Sequence, residues 1–374
     1  MKPLRRYISA RPQLRYSMLA GDIHPRSALA GFQQQDVWLT LKARTAIYQA
    51  ACLTGLDNGG EVLVPAYHCG SEVDALVKSG ATISFYGIDA TAQIDLVDLE
   101  RRITPSTRAV YVIHYFGIAP PMAALRALCD HYGLWLIEDR ALNSLSAGSS
   151  KEDGHHRGDL VVYSFTKPLP LTDGGALMVH HPDLAARRWS LRRSSSPVRI
   201  TTLLKRAAAA QVRRWSHQPV HRSAPETASW MPAGYHFDTV MADAAISNTA
   251  LRMLWRLDAA AVTNACRQNF LQLHESLRPH LKRPRRLSAL APGASPLLYP
   301  LLTDNRFAVI QRLHARGVEA LPFWAGYHPH FSLDEFPDAR RLKNNLLGLP
   351  IHQDLDESDI RYIANETIHA IKLT

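Results

Sequence analysis

The apolar positions of this chain change period many times. From Thr45 to Leu53 the run Thr-Ala-Ile-Tyr-Gln-Ala-Ala-Cys-Leu suits a helix, and Gly55 ends it. Glu61-Val62-Leu63-Val64-Pro65 predicts a short buried strand stopped by proline. The alternation then repeats. Residues 72–79 predict a helix and 82–86 a strand. Residues 98–103 predict a short helix, 110–114 a strand, and 122–132 a helix closed by Gly133. Further strands are predicted at 134–137, running into Glu138-Asp139, and at 160–165. After a proline-rich loop and Gly174-Gly175, another covers 176–180. Strands alternating with helices of this length predict βαβ units and a largely parallel sheet. Right-handed crossovers then put helices on both of its faces.

The flanks differ. Residues 1–35 hold Pro3, Pro12 and Pro25 and show no period, which predicts an arm packed on something larger. Residues 185–230 are rich in arginine and alanine and turn loop-like from Ser216. Helices are predicted at 243–257, 258–277, 307–316 and 356–373, with a strand at 297–302. This pattern divides the 374 residues into an N-terminal arm (1–35), a large α/β domain (36–244) and a smaller C-terminal α+β domain (245–374). No internal repeat interrupts it.

Composition narrows the class. At 46% hydrophobic and 20% charged, the chain falls in the ordinary globular range. No apolar run approaches the ~20 residues of a membrane span. No apolar stretch follows Met1-Lys2-Pro3-Leu4-Arg5-Arg6, so neither a secretory leader nor a transmembrane segment is expected, and a cytoplasmic location is. Cys52, Cys69, Cys129 and Cys266 are scattered without a CxxC pair, so no metal site or disulfide framework is expected. The net charge of +10 permits an anionic partner. Much of the excess lies in residues 187–222 and in Lys282-Arg283-Pro284-Arg285-Arg286. A solvated basic face accounts for the second cluster. The first could face a membrane or a polyanionic substrate. A nucleic-acid partner rests on charge alone and is not expected.

Ligands in parallel sheets bind beyond the carboxyl ends of the strands. That rule selects His114, Asp139 and the segment Ser164–Lys167. A partly desolvated lysine such as Lys167 can form a Schiff base with an aldehyde. Asp139 is a carboxylate fit to keep a pyridine nitrogen protonated. The helix starting near Thr45 offers free N–H groups and a positive dipole end to a phosphate, and Ser164 adds a hydroxyl. Together these suit pyridoxal 5'-phosphate (PLP). Each also has a plainer account, as surface cation, turn former or helix cap. Spacing alone therefore leaves an α/β enzyme with its cofactor open.

A resemblance goes further. The segments Ala43-Arg44-Thr45-Ala46-Ile47, Val64-Pro65-Ala66-Tyr67, His114-Tyr115-Phe116-Gly117, Ile137-Glu138-Asp139, Tyr163-Ser164-Phe165 and Asp173-Gly174-Gly175 keep their order. Phe336-Pro337-Asp338-Ala339-Arg340 and Leu349-Pro350-Ile351-His352 follow near the C-terminus. The whole resembles the DegT/DnrJ/StrS-type sugar aminotransferases, PLP enzymes of fold type I. The resemblance implies a homodimer that moves an amino group from an amino-acid donor to a carbonyl acceptor. In the family the acceptor is a nucleotide-linked keto sugar of polysaccharide or secondary-metabolite biosynthesis. It makes Lys167 the Schiff-base lysine and proton shuttle, and Asp139 the partner of the ring nitrogen. Arg44, Thr45 and Ser164 would hold the phosphate.

The chain also departs from the family pattern. Cys69 stands where an aromatic usually covers the cofactor ring, leaving His68 or Tyr67 as substitutes. Leu142 stands where a Gln or His is usual, and Asp238 where an Arg is usual. Lys167 follows Ser164 by three residues in a shortened loop. These departures suggest a divergent subgroup. Their alternative implication is a protein of this fold with altered or lost catalysis, serving as a binding or regulatory subunit.

Overall fold

The computed structural model describes residues 6–33, 36–145, 158–187, 229–232, 236–281, 294–324, 326–332 and 334–373, with isolated positions and pairs between them. Lys282–Arg286, Tyr235 and most of the basic stretch 187–222 lie outside the described residues.

Seven strands form the main sheet: β1 (Val37–Thr40), β2 (Glu61–Pro65), β3 (Thr82–Tyr86), β4 (Thr107–Ile113), β5 (Trp135–Asp139), β6 (Leu160–Ser164) and β7 (Gly175–Val179). Their order is β1-β7-β6-β5-β4-β2-β3. The five strands from β6 to β3 run parallel, and β7 is antiparallel to both β6 and β1. The interior strands are buried on both faces, which is why they read as continuous apolar runs.

The helices of this part are α1 (Tyr16–Ala20), α2 (Ala43–Leu53), α3 (Ser71–Ser79), α4 (Leu96–Arg101), α5 (Met122–Tyr132) and α6 (Pro182–Ala185). The C-terminal part holds α7 (Asn248–Trp255), α8 (Ala259–Leu277), α9 (Arg306–Ala315), α10 (Pro337–Asn345) and α11 (Glu357–Lys372). Its antiparallel sheet has the order β10 (Leu321–Pro322), β12 (Leu346–Pro350), β9 (Leu298–Leu302). A two-residue ribbon pairs β8 (Ser229–Trp230) with β11 (Gly326–Tyr327).

Side-chain caps fix several helix starts. Asp95 accepts from the Val97 and Asp98 N–H groups, so α4 begins at Leu96 and not at 98. Ser247 accepts from Ala250 N, so the helix expected from 243 begins at Asn248. Asp356 and Asp359 form a reciprocal capping box on α11.

Residues of the N-terminal segment pack on the rest of the chain. Ile8 bridges Val318, and His24 N donates to Trp255 O at 2.9 Å. Phe32 sets its edge against Tyr163 and Phe165 at 4.9 and 5.0 Å. α8 joins two cores. Val262 and Cys266 pack with the arm, α7 and β6–β7, whereas Phe270, Leu273 and Leu277 pack with β9, β12 and α11.

Candidate active site

Asp139 ends β5, level with Ile113 of β4 and Val162 of β6. Its side chain is buried. Oδ2 accepts from the Tyr111 hydroxyl at 2.6 Å and Oδ1 from the Ala141 N–H at 2.7 Å. Burial pushes its pKa up, opposed by the Lys167 charge and the Tyr111 bond. Glu138 points to the opposite face of the strand, where its carboxylate meets His114 Nε2 at 2.9 Å. Of the strand-end residues, His114 therefore serves Glu138, while Asp139 faces the Lys167 side.

Lys167 follows β6 and is half-buried. Its charge acts on Asp139 and on the Cys69 thiol. Its Nζ lies 6.0 Å from the centre of the Trp324 ring. Trp324 has φ 41°, a left-handed conformation that costs a bulky residue about 1–3 kcal/mol. Neighbours hold it there: Phe323 stacks on it at 4.7 Å and Tyr67 lies 5.2 Å away. A pocket of about 100 Å³ borders Lys167, Leu142 and Trp324. Asp139, Arg44 and Ser164 are not among its walls.

The N-terminus of α2 has no side-chain cap. It closes tightly on β7, where a Cβ at Gly175 would fall 2.5 Å from Ala43 N. Ser164 is the register partner of Gly175, so this glycine brings Ser164 to the start of α2. Ser164 Oγ lies 3.3 Å from Thr166 Oγ1. Arg44, in the first turn, is half-buried, and burial lowers its pKa against the pull of Cys69 and Asp74. Thr45 faces elsewhere. Its hydroxyl donates to Met241 O at 3.0 Å and its N–H to Lys42 O at 3.1 Å, so both donors are engaged. Asp238 caps the turn that holds Met241, accepting from Val240 N at 3.0 Å. That cap gives the acidic residue at 238 a structural task.

His68 lies apart from this group. It is fully buried and stacks on Phe85 at 4.8 Å with Phe331 edge-on. Burial and the nearby Lys343 charge keep it neutral, with a pKa well below the usual value. Its ring is thus committed to an aromatic cluster. Cys69 N donates to Glu72 Oε1 at 2.8 Å, and burial pushes the thiol's pKa up.

Three neighbours of the site were not anticipated from the sequence. Tyr111 holds Asp139, and a buried tyrosine in an apolar strand signals that its hydroxyl has a partner. Lys343 is fully buried and donates to His68 O at 2.6 Å and Gly326 O at 2.7 Å. It shares a helix face with Ala339 and Leu342, a spacing that marks it as core-facing. Trp324 carries no periodic signal.

Comparison with known proteins sets this geometry in context. The DegT/DnrJ/EryC1/StrS aminotransferase family model matches residues 40–367. GDP-perosamine synthase of Vibrio cholerae is 34% identical over 141 residues, 37% of this chain and 38% of that protein. The dTDP-4-dehydro-2,3,6-trideoxy-D-glucose 4-aminotransferase of Saccharopolyspora spinosa is 25% identical over 91% of this chain and 86% of its own length. The crystal structure of the aminotransferase TlmJ from Streptoalloteichus hindustanus covers all of both chains, with a TM-score of 0.67 and 22% identity. That likeness gives the fold, type I of the PLP enzymes.

Proposed function

The chain belongs to the DegT/DnrJ/EryC1/StrS aminotransferase family, and on that premise we propose that it moves an amino group from an amino-acid donor to a nucleotide-linked keto sugar. It is a PLP-dependent aminotransferase. The residues fit that cofactor. Asp139 is a buried carboxylate with lone pairs beyond its two bonds, and a ring N–H⁺ supplies the charge that burial makes it lack. The uncapped start of α2, brought against Ser164 by Gly175, suits a phosphate.

Bound PLP supplies an electron sink for the pair left when a proton leaves the substrate carbon. In our reading Lys167 anchors the cofactor aldehyde through its amine and then carries that proton. Asp139 holds the proton on the ring nitrogen, and Tyr111 fixes the carboxylate. Arg44, Ser164 and the α2 N–H groups hold the phosphate. Thr45 keeps the 238–242 turn against α2 and so acts one step removed. His68 enters only through the chain that places Cys69. We further propose a cytoplasmic homodimer, and a division into an arm (1–35), a large part (36–244) and a small part (245–374) crossed by α8.

The observation that carries this proposal is Lys167 at the carboxyl edge of the sheet, close enough to Asp139 for its charge to act on the carboxylate. The test is the absorbance spectrum of protein reconstituted with PLP. Wild type should show the visible band of lysine-bound cofactor, and Lys167→Ala should lack it. A wild-type protein without the band would sink the proposal. A second reading, binding without turnover, draws on the apolar Leu142 beside Lys167. It predicts a band that added glutamate fails to bleach.

A further inference from the structure

We propose that Arg11 binds the α-carboxylate of the amino-acid donor, in a subsite that the N-terminal segment builds beside Lys167. The proposal rests on the aminotransferase reading and adds the residue that holds the donor. Ala10, Arg11 and Pro12 line the same pocket as Lys167. They share it with His352 and Gln353, from the far end of the chain. Among the described residues that line it, the cationic side chains are Lys167 and Arg11, and none is a carboxylate. His352 is not a third cation. Its Nε2 donates to Ser9 O at 3.1 Å, its Nδ1 accepts from Asp354 N at 3.3 Å, and burial lowers its pKa.

Arg11 is exposed, yet the backbone on either side of it is pinned. On one side Ile8 N donates to Gly317 O at 2.8 Å and Glu319 N returns a bond to Ile8 O at 2.9 Å. Ala10 N then donates to Glu319 Oε2 at 3.0 Å. On the other side Gln13 N donates to Asp354 Oδ2 at 2.7 Å, and Arg15 pairs with Asp354 Oδ1 at 2.6 Å. Residues 9–14 lie in no helix or strand, so these bonds are what set Arg11 at the pocket. A cation on a fixed backbone loses less freedom on binding, and a guanidinium meets a carboxylate with two parallel bonds. Size decides which anion enters. A cavity of about 100 Å³ is smaller than the ~150 Å³ engineered cavity that accepts benzene. The donor's α-carboxylate is one bond from the carbon whose proton Lys167 takes, so it enters with that carbon. A nucleoside diphosphate is too large, and its charge sits far from any carbonyl it carries.

The experiment uses glutamate and 4-aminobutyrate, which differ by the α-carboxylate alone. Bleaching of the lysine-bound cofactor band by each amine is timed in PLP-loaded wild type, Arg11→Gln and Arg11→Lys. Affinities for glutarate and for inorganic pyrophosphate are measured by calorimetry on the same proteins. The preference for glutamate should fall by about tenfold in Arg11→Gln, the lower end for a hydrogen bond to a charged group, because water competes at an exposed residue. Arg11→Lys keeps the charge without the fork and should recover part of the preference. Glutarate affinity should fall in parallel, with pyrophosphate affinity unchanged. Equal handling of the two amines by wild type, an unchanged preference in Arg11→Gln, or an equal loss with both amines would overturn the proposal. So would a loss of pyrophosphate affinity with glutarate binding intact, which would assign the arginine to the acceptor's diphosphate. If no lysine-bound cofactor band forms, the aminotransferase reading fails, and glutarate binding to the purified protein still tests Arg11 independently.

Discussion

Lys343 provides a sharp test of how the interior handles charge. It is fully buried, with two backbone carbonyls as hydrogen-bond partners and the faces of Tyr67, Tyr327 and Phe331 between 5.7 and 5.9 Å away. Burial pulls its pKa down to about 7, with Glu72 and Cys69 acting in the opposite direction. An unfolded lysine titrates near ~10.4. Between those values the unfolded chain binds a proton that the folded chain does not, so this group makes stability rise with pH by about 1.4 kcal/mol per unit. The gain is fully present above the unfolded pKa and is lost as pH falls through 7. Replacing Lys343 with Met removes this dependence and leaves the carbonyls of His68 and Gly326 without their donor. The assay is urea unfolding of wild type and Lys343→Met, side by side, at pH 6.5 and 9.5. Other titrating groups cancel in the difference between the two proteins. That difference should move in favour of wild type by roughly 3 kcal/mol on going to the higher pH. A difference that stays constant with pH would refute the reasoning, because it would mean that the buried amine titrates as it does in water.

Two further outcomes test the site. Tyr111→Phe removes the 2.6 Å bond that helps keep Asp139 ionised, so the carboxyl pKa should rise further. PLP affinity, followed by spectral titration, should fall by roughly tenfold, since a hydrogen bond to a charged group is worth about 1.5–3 kcal/mol. Gly175→Ala places a methyl 2.5 Å from Ala43 N and should cost about 1–3 kcal/mol in thermal or urea unfolding as α2 is pushed off β7. Cofactor affinity should drop with it, because the phosphate end moves too.

The parallel sheet was readable because its inner strands are buried on both faces and so appear as unbroken apolar runs. β1 was missed for the converse reason. It is a four-residue edge strand, mostly half-buried, and its pairing with β7 is settled by distant residues. β12 was missed although every one of its residues is buried. The chain passes from α10 at Asn345 straight into β12 at Leu346, with no Gly or Pro to mark the change. Where a cap sets the boundary, as with Asp95 and Ser247, the signal was in the sequence but was outweighed by apolar spacing further along.

That Asp139 and Lys167 stand at or just beyond strand ends was legible because the strand-end rule needs only local pattern. The loop after β2 was not, because distant residues hold it. The resemblance puts a cofactor-covering aromatic at Cys69 and offers His68 as a substitute, yet His68 turns into the cluster with Phe85 and Phe331. What fixes the loop is polar. Glu72 accepts from Cys69 N, and Lys343 donates to His68 O from the far side of the chain. The same lysine bonds Gly326 O, two residues from Trp324. One buried amine therefore ties the chain beside Cys69 to the chain that carries the pocket's tryptophan. Exchanging an aromatic cover for a thiol leaves a gap in packing, but it need not leave a loose wall. Stiffness comes from hydrogen bonds donated to main-chain carbonyls, which remain in place whatever side chain stands at position 69. On this argument Cys69→Phe leaves the brace in place, whereas loss of Lys343 loosens both walls at once.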